Sequence, residues 1–272
     1  MFKAIDFDDD VLSSPDFRKD EISFSLIPSL IKNRDRYPEI RCFSDGKNCV
    51  MLNTDSGHPV VIWTSQDFDN YEGLYNFVVQ TFSDNNPLML TTKKDVYQFF
   101  LDKNFVVDDN DTKILGAYKC EKLNNIAKIG CIDIVKPEER EKVAKMIEAF
   151  QKEALPEEKH PFSYYLEQAD KYITANDINK IWRDEAGEIV SIGHINITDT
   201  TARIGQIYTL PDKRGKSYAK MLVGGLTEVA VKKGLLPVLY TNFQYAPSNK
   251  CYKAVGFELI DTIFSYNIKK KD

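Results

Sequence analysis

The chain has 272 residues, 43% of them apolar, which is more than one compact domain normally uses and enough to bury two cores. Charged residues make up 28% and no Pro, Gly or Ser tract dominates, which excludes a disordered or fibrous chain. Net charge is −5, with 11 Lys+Arg against 20 Asp+Glu in residues 1–111 and 25 against 21 in residues 112–272. An acidic front and a mildly basic back exclude bulk nucleic-acid binding and leave room for a local polyanion site in the back part.

No apolar run approaches the roughly 20 residues of a membrane span. The start, Met1-Phe2-Lys3-Ala4-Ile5-Asp6, runs into Asp8, Asp9 and Asp10, where a signal peptide needs a basic and then an apolar region. The chain is therefore expected to be soluble and cytoplasmic, with no membrane partner. Cys42, Cys49, Cys120, Cys131 and Cys251 are widely spaced with no Cys-x-x-Cys pair, and there are three histidines, so reduced, mostly buried thiols and no metal site are expected.

In chain order, Phe24, Ile27, Leu30 and Ile31 have helical spacing around Pro28. Ile40–Ser44 and Cys49–Asn53 flank Asp45-Gly46-Lys47-Asn48 and predict a hairpin. Val60–Trp63 and Leu88–Leu90 read as strands and Lys94–Lys103 as a helix. Asp108-Asp109-Asn110-Asp111 reads as a linker, which places a boundary between a 1–111 and a 112–272 domain. Ile129–Val135 then predicts a strand, and Pro137 opens a helix with Val143, Met146, Ile147 and Phe150 on one face. A helix over Phe162–Tyr172 and a hairpin of Asn179–Arg183 with Ile189–Ile197 follow. Ala202–Thr209 is a strand, and an amphipathic helix begins near Lys216 and stops at Gly234. Val238–Thr241, Ser248–Val255 and Phe257–Ile268 read as strand, helix and strand. This order predicts an α+β fold with a mixed, largely antiparallel sheet.

The chemically informative stretch is Ile207-Tyr208-Thr209-Leu210-Pro211-Asp212-Lys213-Arg214-Gly215-Lys216-Ser217-Tyr218-Ala219. A strand ends, a basic loop turns, and a helix starts; unpaired N–H groups and the positive dipole end make an anion site. Gly215 allows close backbone approach, and Lys213, Arg214, Lys216 and Lys220 add charge for phosphates. An ordinary helix start with a solvated basic rim is the other reading. The pattern is neither a P-loop nor a dinucleotide fingerprint.

At these residues the chain resembles the GNAT superfamily of N-acetyltransferases, whose coenzyme A loop reads Arg/Gln-x-x-Gly-x-Gly/Ala. Arg214, Gly215 and Ala219 match, and Ser217 stands at the family's central glycine. Downstream, Pro247-Ser248-Asn249-Lys250-Cys251-Tyr252-Lys253-Ala254-Val255-Gly256-Phe257 is similar to the closing motif, a helix that delivers a tyrosine and ends at Gly-Phe. Tyr245 occupies the place where many members carry an asparagine. In the front part, Phe100-Leu101-Asp102-Lys103-Asn104-Phe105 echoes Tyr252–Phe257, with no basic loop before it. Residues 1–111 therefore read either as a degenerate, non-catalytic copy of the same fold or as an unrelated α+β domain.

The resemblance implies two GNAT-like domains and acetyl transfer from acetyl-CoA, without metal, to a primary amine of a small molecule or peptide. Pantetheine would pair with the strand at Ile207, Tyr208 and Thr209. Pyrophosphate would be held by Arg214 and the amides of Gly215, Lys216, Ser217, Tyr218, Ala219 and Lys220, and Ser248 is grouped with these coenzyme contacts. Tyr252 would be the general acid; a buried tyrosine with one satisfied hydrogen bond is the alternative. His194 is the candidate base by its ordinary pKa, or a satisfied core histidine. Asp199, His58 and His160 read as turn or loop residues. A non-enzymatic coenzyme A-binding or regulatory module is the competing function.

Overall fold

A computed structural model of the chain describes residues 1–82, 87–103, 105–107, 112–156 and 159–270. The expected linker Asp108–Asp111 and Asn104 lie outside the described residues. The elements run β1 (Lys3–Ala4), α1 (Pro15–Asp20), α2 (Leu26–Lys32), β2 (Arg41–Ser44), β3 (Cys49–Asn53), β4 (Val60–Thr64), α3 (Tyr71–Thr81), β5 (Leu88–Thr92), α4 (Lys94–Leu101), β6 (Phe105–Val107) and β7 (Lys113–Lys119). There follow β8 (Cys131–Asp133), α5 (Arg140–Ala154), α6 (Phe162–Thr174), β9 (Asn179–Arg183), β10 (Ile189–Ile197), β11 (Thr201–Thr209), α7 (Tyr218–Lys232), β12 (Leu236–Asn242), α8 (Ala246–Val255) and β13 (Glu258–Lys270). The chain divides into two compact units. One is Met1–Ala117 with Thr241–Tyr245 and Leu259–Asp272; the other is Tyr118–Tyr240 with Ala246–Glu258.

In the front unit β1, β2, β3 and β4 pair antiparallel, β5 lies parallel to β4, and β13 lies antiparallel to β5. The β2–β3 turn forms because the Asp45 side chain accepts from the backbone N–H groups of Lys47, Asn48 and Cys49 at 2.8–2.9 Å, while Gly46 takes φ +88°. Helix α3, which apolar spacing alone did not predict, starts at Asn70, whose side chain accepts from the Gly73 N–H at 3.2 Å. Its Leu74 and Val78 join Met51, Ile62, Leu90 and Phe100 in one core.

In the back unit the strand order is β12-β11-β10-β9-β8, antiparallel except for the parallel β11–β12 pair. Alternation along β10 sends its side chains to two cores. Val190 and Ile195 pack with Leu222 and Leu226 of α7, whereas Ile189 and Ile192 pack with Val143 and Ile147 of α5 and Tyr165 of α6. The chain runs twice through one succession, from β1 to β6 and from β8 to β13: a strand, two helices, three antiparallel strands, a helix, a parallel strand, a helix and a closing strand, the second closing strand, β13, lying in the front unit. That is an α+β fold with a mixed, mostly antiparallel sheet in each unit. Among the described residues no helix is long and apolar enough to cross a membrane.

Candidate coenzyme and acyl-transfer site

In the back unit the parallel ladder between β11 and β12 runs from Thr201↔Leu236 to Ile204↔Leu239 and ends there, although both strands continue. Residues Gly205–Thr209 pair with β10 alone among the described residues, so their other edge opens toward whatever enters between the strands. Opposite Gly193, β11 carries an extra residue. Ile192 faces Tyr208 and His194 faces Gly205, so Gln206 and Ile207 oppose one residue. Gln206 takes φ +53°, a left-handed value that costs a non-glycine residue about 1 kcal/mol.

The predicted strand residues fall here, with Tyr208 and Thr209 buried and Ile207 partly buried beside the α7 core. The Thr209 hydroxyl is 2.7 Å from that of Ser191. The loop then turns with Gly215 at φ +79° and Ser217 at φ +66°, and α7 begins at Tyr218. No side-chain hydrogen bond from Ser217 caps the helix, so the first-turn amides have no side-chain cap. A Cβ at Gly215 would meet nothing within 4 Å. The glycine is needed there for its positive φ and not for space.

The four basic side chains of the loop divide in two. Lys213 is 2.8 Å from Asp184, which raises its pKa, and Arg214 donates to Glu153 at 2.8 Å and to the Thr209 carbonyl at 3.0 Å. The Arg214 guanidinium also lies over the Tyr208 ring. Both charges are therefore largely offset, and Arg214 ties the loop back onto β11. Lys216 is exposed, Lys220 partly so, and neither makes an ion pair among the described residues. These two, with the amides, are the cations left for a phosphate.

Helix α8 places Ser248 in its first turn and Tyr252 two turns from its start. The Tyr252 ring packs on the α7 core and meets Phe257 edge-on at 6.2 Å. Its hydroxyl has no hydrogen-bond partner among the described residues, and burial pushes the phenol well above its ordinary pKa, so it stays protonated. The residue is only partly buried, so solvent reaches the hydroxyl. Burial likewise pushes the Cys251 thiol up to about 11, which keeps it inert at neutral pH. The helix ends at Gly256, φ +114°, where a Cβ would lie 2.2 Å from the Lys122 carbonyl oxygen.

His194 is placed otherwise than a base requires. Asn196 donates to its Nε2 at 2.9 Å, so Nδ1 carries the proton and donates to Gln206 Oε1 at 3.1 Å. Burial lowers its pKa to about 4. The ring is neutral at physiological pH and both nitrogens are engaged, the arrangement of a satisfied core histidine. Gln206, Asn196 and Tyr172 were not singled out from the sequence. The signal for the bulge was the isolated Gly205 within a strand pattern. His58 pairs with Asp55, and His160 stacks on Tyr164 with ring centroids 4.1 Å apart. Among the described residues no three His, Cys, Asp or Glu side chains cluster as metal ligands. A cavity of about 530 Å³ lined by Leu123, Asn124, Asn125, Ile126, Lys128 and Glu228 lies along the loop before β8, apart from the β11 opening.

One substitution reads the loop directly. Ser217→Gly removes the positive-φ strain without losing a cap, so stability is expected to rise by up to about 1 kcal/mol, a few degrees in Tm. A lowered Tm would show that Ser217 supports the turn.

Residues 143–257 match the sequence profile of the Acetyltransferase (GNAT) family. No curated protein matches the chain. Among solved structures, a GCN5-related N-acetyltransferase from Sphaerobacter thermophilus is 12% identical with TM-score 0.64, covering 99% of this chain and 95% of its own. A tandem GNAT protein from the clavulanic acid biosynthesis pathway is 11% identical with TM-score 0.60, covering 100% and 99%. A GNAT-family acetyltransferase from Colwellia psychrerythraea is 14% identical with TM-score 0.56, covering 99% and 100%. At these identities the likeness is one of fold. Residues 143–257 thus carry the sequence pattern of the GNAT acetyltransferase family, and the chain along its length has the fold of GNAT structures.

Proposed function

We propose that the chain is an acyl-CoA-dependent N-acyltransferase that transfers an acetyl group to a primary amine, with its coenzyme held by the back unit alone. The observation that carries this reading is the end of the β11–β12 ladder at Ile204↔Leu239, directly before a loop whose helix amides are uncapped by side chains. An extended pantetheine arm has the amide groups to pair with the free edge of Gly205–Thr209. The pyrophosphate fits the turn at Gly215–Lys220, where two positive-φ residues and the helix start aim N–H groups at one place. Lys216 and Lys220 supply the charge. Tyr252, with a proton to give and no partner for it, is the acid for the departing thiolate. The amine acceptor's proton passes to water or to a group of the acceptor complex, since both ring nitrogens of His194 are engaged and burial makes it a weak base.

The front unit has the matching elements but not the matching chemistry. Its loop between β4 and α3 carries Asp67 and Asp69 in place of basic residues, and Asn70 caps the helix that a phosphate would need. Phe100, fully buried, stands where the back unit has Tyr252. Calorimetry on the full chain is therefore expected to find one acetyl-CoA per chain, and Lys216→Glu with Lys220→Glu to weaken it about 10–100-fold. Two sites per chain would overturn the assignment of the front unit, and no binding would overturn the whole reading. Binding without thiol release across an amine panel would favour a non-enzymatic coenzyme A module.

A further inference from the structure

The bulge in β11 is held from outside the strand. Gln206 Oε1 accepts from the Tyr172 hydroxyl at 3.0 Å and from His194 Nδ1 at 3.1 Å, and Asn196 fixes the far side of the His194 ring at 2.9 Å. Three elements meet on this one side chain: α6 through Tyr172, β10 through His194 and Asn196, and β11 itself. A non-glycine residue at φ +53° persists only where its surroundings over-determine it. Here two donors converge on one acceptor, and burial keeps the histidine neutral, so its Nδ1 proton stays committed to the glutamine.

We propose that Tyr172, His194, Asn196 and Gln206 form a positioning network for acyl transfer. The inference rests on the acyltransferase reading above and adds the residues that set the thioester's place in it. Two residues past the last β11–β12 pair, at Ile204, the bulge turns the backbone groups of Gln206 and Ile207 out of regular register. A thioester lying in the opening meets those groups, and their direction depends on the Gln206 side chain being held. The coenzyme's phosphates bind about ten residues further on, at Gly215–Lys220, and do not depend on it. The network exchanges no proton with the substrate. It acts by placing backbone dipoles, for which an error of about 1 Å costs on the order of 10²-fold in rate.

The network predicts a split between binding and turnover. Gln206→Met keeps the length of the side chain and removes the acceptor; Tyr172→Phe keeps the ring and removes one donor. In the full chain each is expected to bind coenzyme A within about threefold of wild type by calorimetry. Thiol release from acetyl-CoA with hydroxylamine as the probe nucleophile should fall about 10–100-fold in kcat, with KM for acetyl-CoA little changed. Amide hydrogen exchange in 204–210 should quicken while that of α7 does not. Gln206→Glu, which retains an acceptor for both donors, should restore most of the rate lost in Gln206→Met. Wild-type kcat in folded Tyr172→Phe and Gln206→Met would overturn the network and leave the acyltransferase reading standing. Equal losses in coenzyme A affinity and kcat would also overturn it, since they mark general disruption. Wild type that neither binds acetyl-CoA nor releases thiol would overturn both, and is told apart because it fails before any substitution is made.

Discussion

Tyr252→Phe is expected to lower acetyl-transfer turnover by about 10²–10⁴, the usual contribution of a general acid, while acetyl-CoA affinity and Tm stay at wild-type values. The stability half of this expectation comes from the geometry. The Tyr252 hydroxyl has no hydrogen-bond partner among the described residues, so its removal breaks nothing, and the ring keeps its packing against the α7 core and Phe257. The kinetic half comes from chemistry. The substitution takes away the only proton the side chain can give, and that proton is needed only as the thiolate leaves, so the loss appears in kcat and not in KM. Fully buried Phe100 holds the matching place in the front unit, and that helix folds with a phenyl ring there. Thermal melting and single-turnover thiol release on one Tyr252→Phe preparation check the two halves together. Turnover near wild type would take Tyr252 out of the mechanism; a fall in Tm with turnover per folded molecule intact would mark it as structural.

Gly256→Ala is expected to destabilise the back unit strongly. Its backbone sits at φ +114°, outside the range of L residues, and the added Cβ would stand 2.2 Å from the Lys122 carbonyl oxygen. Strain at such a φ costs about 1–3 kcal/mol, and overpacking costs a further 1–3 kcal/mol. The carbonyl has little room to yield, because Asn124 next to it donates from its backbone to Val255 at 2.9 Å and from its side chain to Ala254 at 3.2 Å. The loop 122–124 and the end of α8 are thus fitted to each other, and the tyrosine sits one turn upstream. A Tm lowered by roughly 10 °C is expected, with turnover falling as α8 shifts. Gly215→Ala is the control. It also has a positive φ, +79°, but its Cβ would meet open space, so a cost near 1 kcal/mol is expected. If the two variants melt alike, the close approach at Gly256 does not carry the cost.

Much of the back unit was legible because its elements are long and periodic. Val143, Met146 and Ile147 mark the buried face of α5, and β11 ends at Thr209 as its alternation and the following Leu210-Pro211 require. The loop was legible for a different reason: Arg-Gly before a helix is local chemistry. What the loop's charges do was not. Whether Lys213 faces a phosphate or Asp184, and Arg214 a phosphate or Glu153, depends on residues 29 and 61 positions away in the chain. The same holds for His194, whose tautomer is set by Asn196 and Gln206 across a bulge. In the front part α3 escaped notice because its signal is one capping asparagine and two apolar positions, Leu74 and Val78, among aromatic residues on all sides. The six-residue echo around Phe100 pointed to a repeat that the topology carries much further, down to the parallel β4–β5 pair that matches β11–β12.

The strand β13 has a consequence for how the chain is made. It pairs with β5 through Phe264↔Thr92 to Ile268↔Leu88, and its Phe264, Tyr266 and Ile268 complete the front core. A front unit emerging from the ribosome carries β5 as a bare sheet edge, with that core open, until some 170 further residues have been synthesised. The back unit lies almost wholly within that interval and has its own strands in hand before β13 exists. Synthesis order and folding order are therefore opposed: the first-made half is the last to close.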